Sequence, residues 1–260
     1  MPDSDTPDGQ PPPRVKIIAC RVFVEELRSL LPDGAQVETL EMSLHERPRS
    51  LRQMLQQRID AAAGWDTVVL GYGMCGQATV GLRATTCRLV VPRVDDCIAM
   101  FLGSRAAYRA QHEQEAGTYF LTKGWVGSGV TTPFAAYDAV RERWGEERAN
   151  RVRDAMLGRY RRLAFVRTGA DDQELRDARR QARETACRFG LRYDEVEGSR
   201  DLVRPLLYGP WDPDRFIVVP QGGTISLGDF LLGRGSGPAS GPLSQVGVKS
   251  RFVQDEDLDF

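Results

Sequence analysis

Short apolar runs alternate along this chain with stretches in which apolar residues return every three or four positions. The first run, Val15-Lys16-Ile17-Ile18-Ala19-Cys20, reads as a buried strand. Glu25 to Leu31 follow as a helix, closed by Pro32-Asp33-Gly34. A second strand is predicted over Val37 to Met42 and ends in Ser43-Leu44-His45-Glu46-Arg47-Pro48. Leu51, Met54, Leu55, Ile59 and Ala62 then form one apolar stripe at helical spacing, with Arg and Gln opposite. A third strand, Asp66 to Leu70, runs into Gly71-Tyr72-Gly73-Met74-Cys75-Gly76, and a short helix is expected over Ala78 to Ala84. A fourth strand, Arg88 to Val91, stops at Pro92 before Asp95-Asp96-Cys97. Short strands alternating with helices are the signature of βαβ units. The pattern therefore predicts an α/β fold with a Rossmann-like parallel sheet covered on both faces.

From Ile98 to Met156 the pattern changes. Phe101 to His112 reads as a helix, Gly117 to Trp125 as a compact Gly/aromatic loop, and Phe134 to Met156 as one or two helices. Lys123 and Trp125 in that loop are candidates to line a pocket. The alternation resumes with strands at Leu163 to Val166, Tyr193 to Val196 and Phe216 to Val219. Between them lie a helix capped by Asp171 and ending at Phe189-Gly190, and a short helix from Leu202 to Tyr208. Lys16 to Cys20, His45 to Ile59 and Thr67 to Gly76 correspond in order to Leu163 to Gly169, Ser199 to Tyr208 and Phe216 to Gly223. This order suggests a duplicated βαβαβ unit with a helical insertion. The expected organisation is a disordered tail over 1–14, a first α/β lobe over 15–130, and a helical linker over 131–160. A second α/β lobe over 161–232 and a flexible tail over 233–260 complete it.

Composition narrows the function classes. The chain has 260 residues, 41% of them hydrophobic and 27% charged, which is ordinary for a globular protein. With 35 basic against 36 acidic residues the net charge is −1, so nothing marks a nucleic-acid or membrane surface. The opening MPDSDTPDGQPPPR lacks the charged and apolar regions of a secretory signal. No apolar run approaches the roughly 20 residues a membrane span needs. The 5 cysteines are odd in number and widely spread, which fits a reducing, cytoplasmic setting with thiols free to act as ligands or nucleophiles.

Four candidate ligands fall at the carboxyl ends of the four predicted strands of the first lobe. Cys20 follows the first, His45 the second, Cys75 the third and Cys97 the fourth. Ligands of open parallel sheets bind at that edge, because the loops there come together. Three thiolates and an imidazole suit tetrahedral zinc, and three thiolates with an open iron suit a [4Fe–4S] cluster. Cys87 and Cys187 read as small apolar side chains instead. Asp96 and Arg93 are the candidates for orienting a small-molecule substrate, with Asp95 a candidate cap for the next helix. Gly71, Gly73 and Gly76 match GxGxxG after a strand; they read as room for a cofactor beside Cys75, with a metal-free nucleotide site as the alternative.

The phrases Ile18-Ala19-Cys20, Leu44-His45 with Pro48, Tyr72-Gly73-Met74-Cys75-Gly76, Pro92-Arg93 leading to Asp96-Cys97-Ile98, Leu102-Gly103-Ser104, Gly117 to Thr122 and Gly124-Trp125 resemble domain-of-unknown-function family 1638. The resemblance runs from about Val15 to Gly223. Asp95 stands where that family usually has a histidine. The resemblance implies no named reaction. It implies kinship with companions of corrinoid-dependent methyltransferases, and so a corrinoid protein or methyltransferase as partner. Two expectations follow: a metal-dependent enzyme of one-carbon metabolism, or a non-enzymatic partner of one.

Overall fold

A computed structural model describes residues 14–31, 35–41, 44–45, 47–127, 132–168 and 172–231. Of the tails expected over 1–14 and 233–260, residues 1–13 and all of 233–260 lie outside the described residues, as do the turn Pro32-Asp33-Gly34 and Met42. The helix expected to be capped by Asp171 is capped instead by Asp172, whose side chain accepts from the Leu175 N–H at 2.8 Å.

The apolar runs form strands because both faces of each are covered. β1 (Val15–Cys20), β3 (Thr67–Gly71) and β4 (Arg88–Pro92) are buried almost throughout, as strands of a doubly covered parallel sheet must be. α1 (Arg21–Leu27) leads through a 3-10 turn, Arg28–Leu30, toward β2 (Gln36–Leu40). α2 (Pro48–Asp60) starts on a proline and buries Leu51, Leu55 and Ile59, one residue per turn on the predicted stripe. The first sheet is completed by β8 (Phe216–Val219), giving the order β2-β1-β3-β4-β8. The first four strands are parallel; β8 runs antiparallel to β4, with Leu89 opposite Val219.

A second, all-parallel sheet has the order β5-β6-β7, built from Thr118–Leu121, Arg162–Arg167 and Arg192–Glu197. Helices α3 (Cys97–Phe101) and α4 (Arg105–Gln114) precede it. α5 (Lys123–Gly127), α6 (Pro133–Trp144) and α7 (Glu146–Leu157) lie between β5 and β6, and α8 (Gln173–Arg188) between β6 and β7. α9 (Val203–Tyr208) and α10 (Leu227–Leu231) flank β8. The chain is thus a mixed α/β protein with parallel, Rossmann-like sheets.

Several elements differ from their sequence expectations. Thr118–Leu121 is a strand inside the expected loop, because its β-favouring Thr, Tyr and Phe prevail over the neighbouring glycine. Phe216–Val219 joins the first sheet rather than a second copy, so its correspondence with the Thr67 segment is not realised. The expected helix after Ala78 is a run of turns that follows positive φ at Cys75, Gly76 and Gln77. The helix expected from Phe101 is divided at Gly103, whose φ is +85°, and restarts where Ser104 accepts from the Ala107 N–H.

One apolar core surrounds the first sheet and takes in Val166 of β6 and Leu202, Val203, Leu206 and Leu207 around α9. A smaller core packs β5 and β6 against Phe134 of α6 and the Leu175, Ala178, Ala182 and Ala186 face of α8. No helix among the described residues is long and apolar enough to cross a membrane.

Candidate functional site

In the first sheet the chain passes from β1 outward to β2 and then returns to the other side of β1 to form β3. The carboxyl ends of β1 and β3 therefore flank the point where strand order reverses, the position at which open α/β sheets bind ligands. Cys20 is the last residue of β1 and the residue from which α1 starts. Tyr72 follows β3 directly, and Cys75 lies in the loop beyond it. Cys97 is the first residue of α3, beyond the end of β4.

Electrostatics tie these groups together. Burial pushes the Cys75 and Cys97 thiols up, and the charges of Asp96 and of neighbouring cysteines push them further: Cys20 acts on both, and Cys75 acts on Cys97. The Cys20 thiol is raised mainly by burial, partly offset by the backbone N–H groups of Val22 and Phe23. The Tyr72 phenol is raised by burial and then by Cys20, Cys75 and Cys97 together. Without a positive charge in the pocket, all three thiols are protonated near neutrality. Cys20 and Cys97 are 3% and 8% exposed, Cys75 is part-buried, and all the cysteines are reduced.

His45 lies in a short 3-10 stretch beyond β2. Its ring stacks on Tyr72 with centroids 5.7 Å apart and planes inclined by 28°. Burial lowers its pKa from 6.5 to about 4, so the imidazole is neutral at pH 7. Its Nε2 and the Tyr72 hydroxyl are buried without a hydrogen-bond partner among the described residues. Such orphaned groups are rare in protein interiors, where buried polar atoms pair with protein groups or ordered water. Among the described residues, no group of three or more His, Cys, Asp or Glu side chains is set to hold a metal ion.

The loop carrying Cys75 is tightly held. The Met74 N–H donates to Val94 O at 2.8 Å and the Cys75 N–H to Asp95 O at 2.9 Å, while the Thr79 hydroxyl donates to Gly73 O at 3.0 Å. Cys75 itself has a φ of +46°, a left-handed conformation that costs a non-glycine residue about 1 kcal/mol or more. The glycines have local packing reasons. A Cβ on Gly71 would stand 2.6 Å from the Ala19 Cβ and 2.7 Å from the Phe23 ring. A Cβ on Gly73 would stand 2.8 Å from Val94 O. Protein atoms thus fill the space beside these two. Gly76 has a φ of +63°, and a Cβ there would meet Pro48 at 3.3 Å.

Asp96 belongs to the cluster, but as a structural anchor. Its Oδ1 accepts from the Ile98 N–H at 2.9 Å and so caps α3, and its Oδ2 accepts from the Tyr108 hydroxyl at 2.9 Å. Burial raises its pKa. Asp95, the expected cap, instead pairs with Arg105 at 3.2 Å. Arg93 faces the β8 side: its guanidinium donates to Pro213 O at 2.8 Å and its backbone N–H to Arg215 O. Cys87 is buried in the core of the first sheet, and Cys187 is exposed on α8. Trp125 sets its ring edgewise against Phe101, with centroids 6.3 Å apart. Lys123 pairs with Asp172 and Glu174 and lines an open cleft of about 920 Å³ between α1, α5 and α8. Sequence reasoning missed Tyr72. The available signal was a phenol placed directly after a buried strand and three residues before a candidate cysteine.

Fold and site together define a two-sheet α/β protein with a thiol, imidazole and phenol cluster at its switch point. The chain belongs to the family described as Protein of unknown function (DUF1638), whose model matches residues 39–207. That stretch holds His45, Tyr72, Cys75, Asp96 and Cys97. No curated protein and no solved structure matches the chain.

Proposed function

We propose that this chain is a metal-binding protein, an enzyme or its accessory, in which Cys20, Cys75 and Cys97 hold zinc with His45. The observation that supports this reading is that Cys20, Cys75 and Cys97 all act on Tyr72, whose ring stacks on a buried imidazole with an unpartnered Nε2. Soft sulfur donors and one neutral nitrogen favour zinc over magnesium or calcium. A cation also supplies what the pocket lacks, since burial and mutual repulsion are what keep the thiols protonated. Holding the metal would release the thiol protons. A bound zinc would polarise a substrate or hold a thiolate at neutral pH. A small substrate with a thiol or a transferable methyl group fits that chemistry, and a corrinoid protein or methyltransferase is the partner we propose.

The test is the metal and acid-labile sulfide content of untagged protein purified without oxygen. About one zinc per chain is expected, whereas iron with matching sulfide would replace zinc by a [4Fe–4S] cluster on the same cysteines. Cys20→Ser, Cys75→Ser and Cys97→Ser should each lose most of the metal, and Cys87→Ser and Cys187→Ser should keep it. Equal metal in all five variants, or none in the parent, sinks the reading.

A further inference from the structure

The open cleft of about 920 Å³ lies where the two sheets meet, outside the carboxyl ends of strands from both. Arg21 follows β1, Lys123 stands two residues beyond β5 and Thr168 follows β6, and all three line it. Parallel strands open their ligand sites at that edge, and small-molecule pockets favour junctions between packed units. Glu26 forms part of the wall and is only 6% exposed. With Thr168 it also lines a second hollow of about 280 Å³, beside Phe101 and Gly198. A buried acid is ordinarily matched by a cation. Among the described residues the Glu26 oxygens accept only from two neutral donors, the Gly124 N–H at 2.6 Å and the Thr168 hydroxyl. A carboxylate has about four lone-pair sites, so about two stay open.

The other charges of the cleft are matched within the protein. Arg28 pairs with Glu25 at 3.0 Å, Lys123 with Asp172 and Glu174 at 3.5 and 3.4 Å, and Asp177 with Arg180 at 2.9 Å. Of the charged side chains lining the cleft, Glu26 and Arg21 are then left without an ion-pair partner among the described residues. Both belong to α1, and their positions are about 7.5 Å apart along its axis. We infer that this cleft binds a small zwitterion, with a primary ammonium on Glu26 and a carboxylate on Arg21. An ammonium brings the missing charge together with N–H donors for the open Glu26 lone pairs, and a guanidinium takes a carboxylate through two parallel bonds. An α-amino acid holds its charges too close together to span that interval, so the ligand class is a short ω-amino acid. The inference is independent of the zinc reading, since Cys20, His45, Cys75 and Cys97 do not line the cleft.

The experiment is calorimetric titration of the full chain with δ-aminovalerate, valerate and n-pentylamine. δ-Aminovalerate should bind saturably, and valerate, which has no ammonium, should not. n-Pentylamine should bind more weakly, and Arg21→Gln should bring δ-aminovalerate down to its level. Glu26→Gln keeps an acceptor for the Gly124 N–H and should lower the affinity roughly ten- to hundredfold, the range for losing a hydrogen bond to a charged group. Gln181→Trp fills the cleft from an exposed position and leaves Glu26 in place, so its loss of binding separates occupancy from any folding defect of the Glu26 variant. Absence of saturable heat with δ-aminovalerate, or parental affinity in Glu26→Gln or Gln181→Trp, would overturn the inference. Equal binding of valerate would overturn the role of Glu26, and equal binding of n-pentylamine that of Arg21.

Discussion

His45 has its pKa lowered from 6.5 to about 4 by burial, and this ties the stability of the metal-free protein to acidity. The unfolded chain takes up a proton near pH 6.5, while the folded chain resists until about pH 4. Stability therefore falls as the pH drops through that window. Between pH 7 and pH 5 the loss is about 2 kcal/mol from this residue alone. A His45→Gln variant should lose correspondingly less over the same interval in urea unfolding of metal-free protein. Parallel pH profiles for the two would show that the imidazole protonates freely in the fold. At this scale the sequence was informative about position and poor about partners. That Cys20, Cys75 and Cys97 fall at or beyond the ends of β1, β3 and β4 was legible because each comes at the close of an apolar run or soon after one. That Asp96 rather than Asp95 caps α3 was not legible, because adjacent aspartates offer the same side chain to the same helix start. Tyr72 was hidden for a similar reason, since a buried aromatic beside a strand is the ordinary pattern of a core.

β3 and its loop show how one element both builds the sheet and shapes the site. Gly71 lets the strand end lie against Ala19 of β1 and Phe23 of α1, and only a hydrogen fits there. Gly71→Ala should cost about 1–3 kcal/mol through overpacking, in the absence of any ligand. Equilibrium unfolding in urea measures this, and an unchanged midpoint would return the glycine to a role in approaching a cofactor. Strands with unbroken apolar runs, such as β1, β3 and β4, were readable from one sequence because burial on both faces leaves no polar positions. β5 was not, since four residues beside a glycine carry too little periodicity to separate a strand from a loop. The placement of β8 was unreadable for another reason. Its apolar run declares a buried strand but not which sheet it joins.

At the scale of the whole molecule, the two sheets are linked through Glu26 of α1, a buried carboxyl. It accepts from the Gly124 N–H of α5 at 2.6 Å and from the Thr168 hydroxyl at the end of β6. Glu26→Ala would strand both donors at a buried junction and should cost about 1–3 kcal/mol. It should also split a single unfolding transition into two, seen as non-coincident fluorescence and far-ultraviolet circular dichroism curves. Coincident curves at the parental midpoint would show that the apolar core joining Val166 and α9 to the first sheet suffices alone. The return of β8 to the edge of β4 has a consequence for how this protein is made. The ribosome delivers β1 to β4 first, then the whole second sheet, and only then the strand that covers β4. Until that late segment emerges, the sheet bearing the cysteines has an open backbone edge on its β4 side, ready to pair with a neighbouring nascent chain. Slow elongation or truncation before Phe216 would thus leave a sticky intermediate, and its cysteine-bearing sheet would mature only after Phe216 to Val219 has emerged.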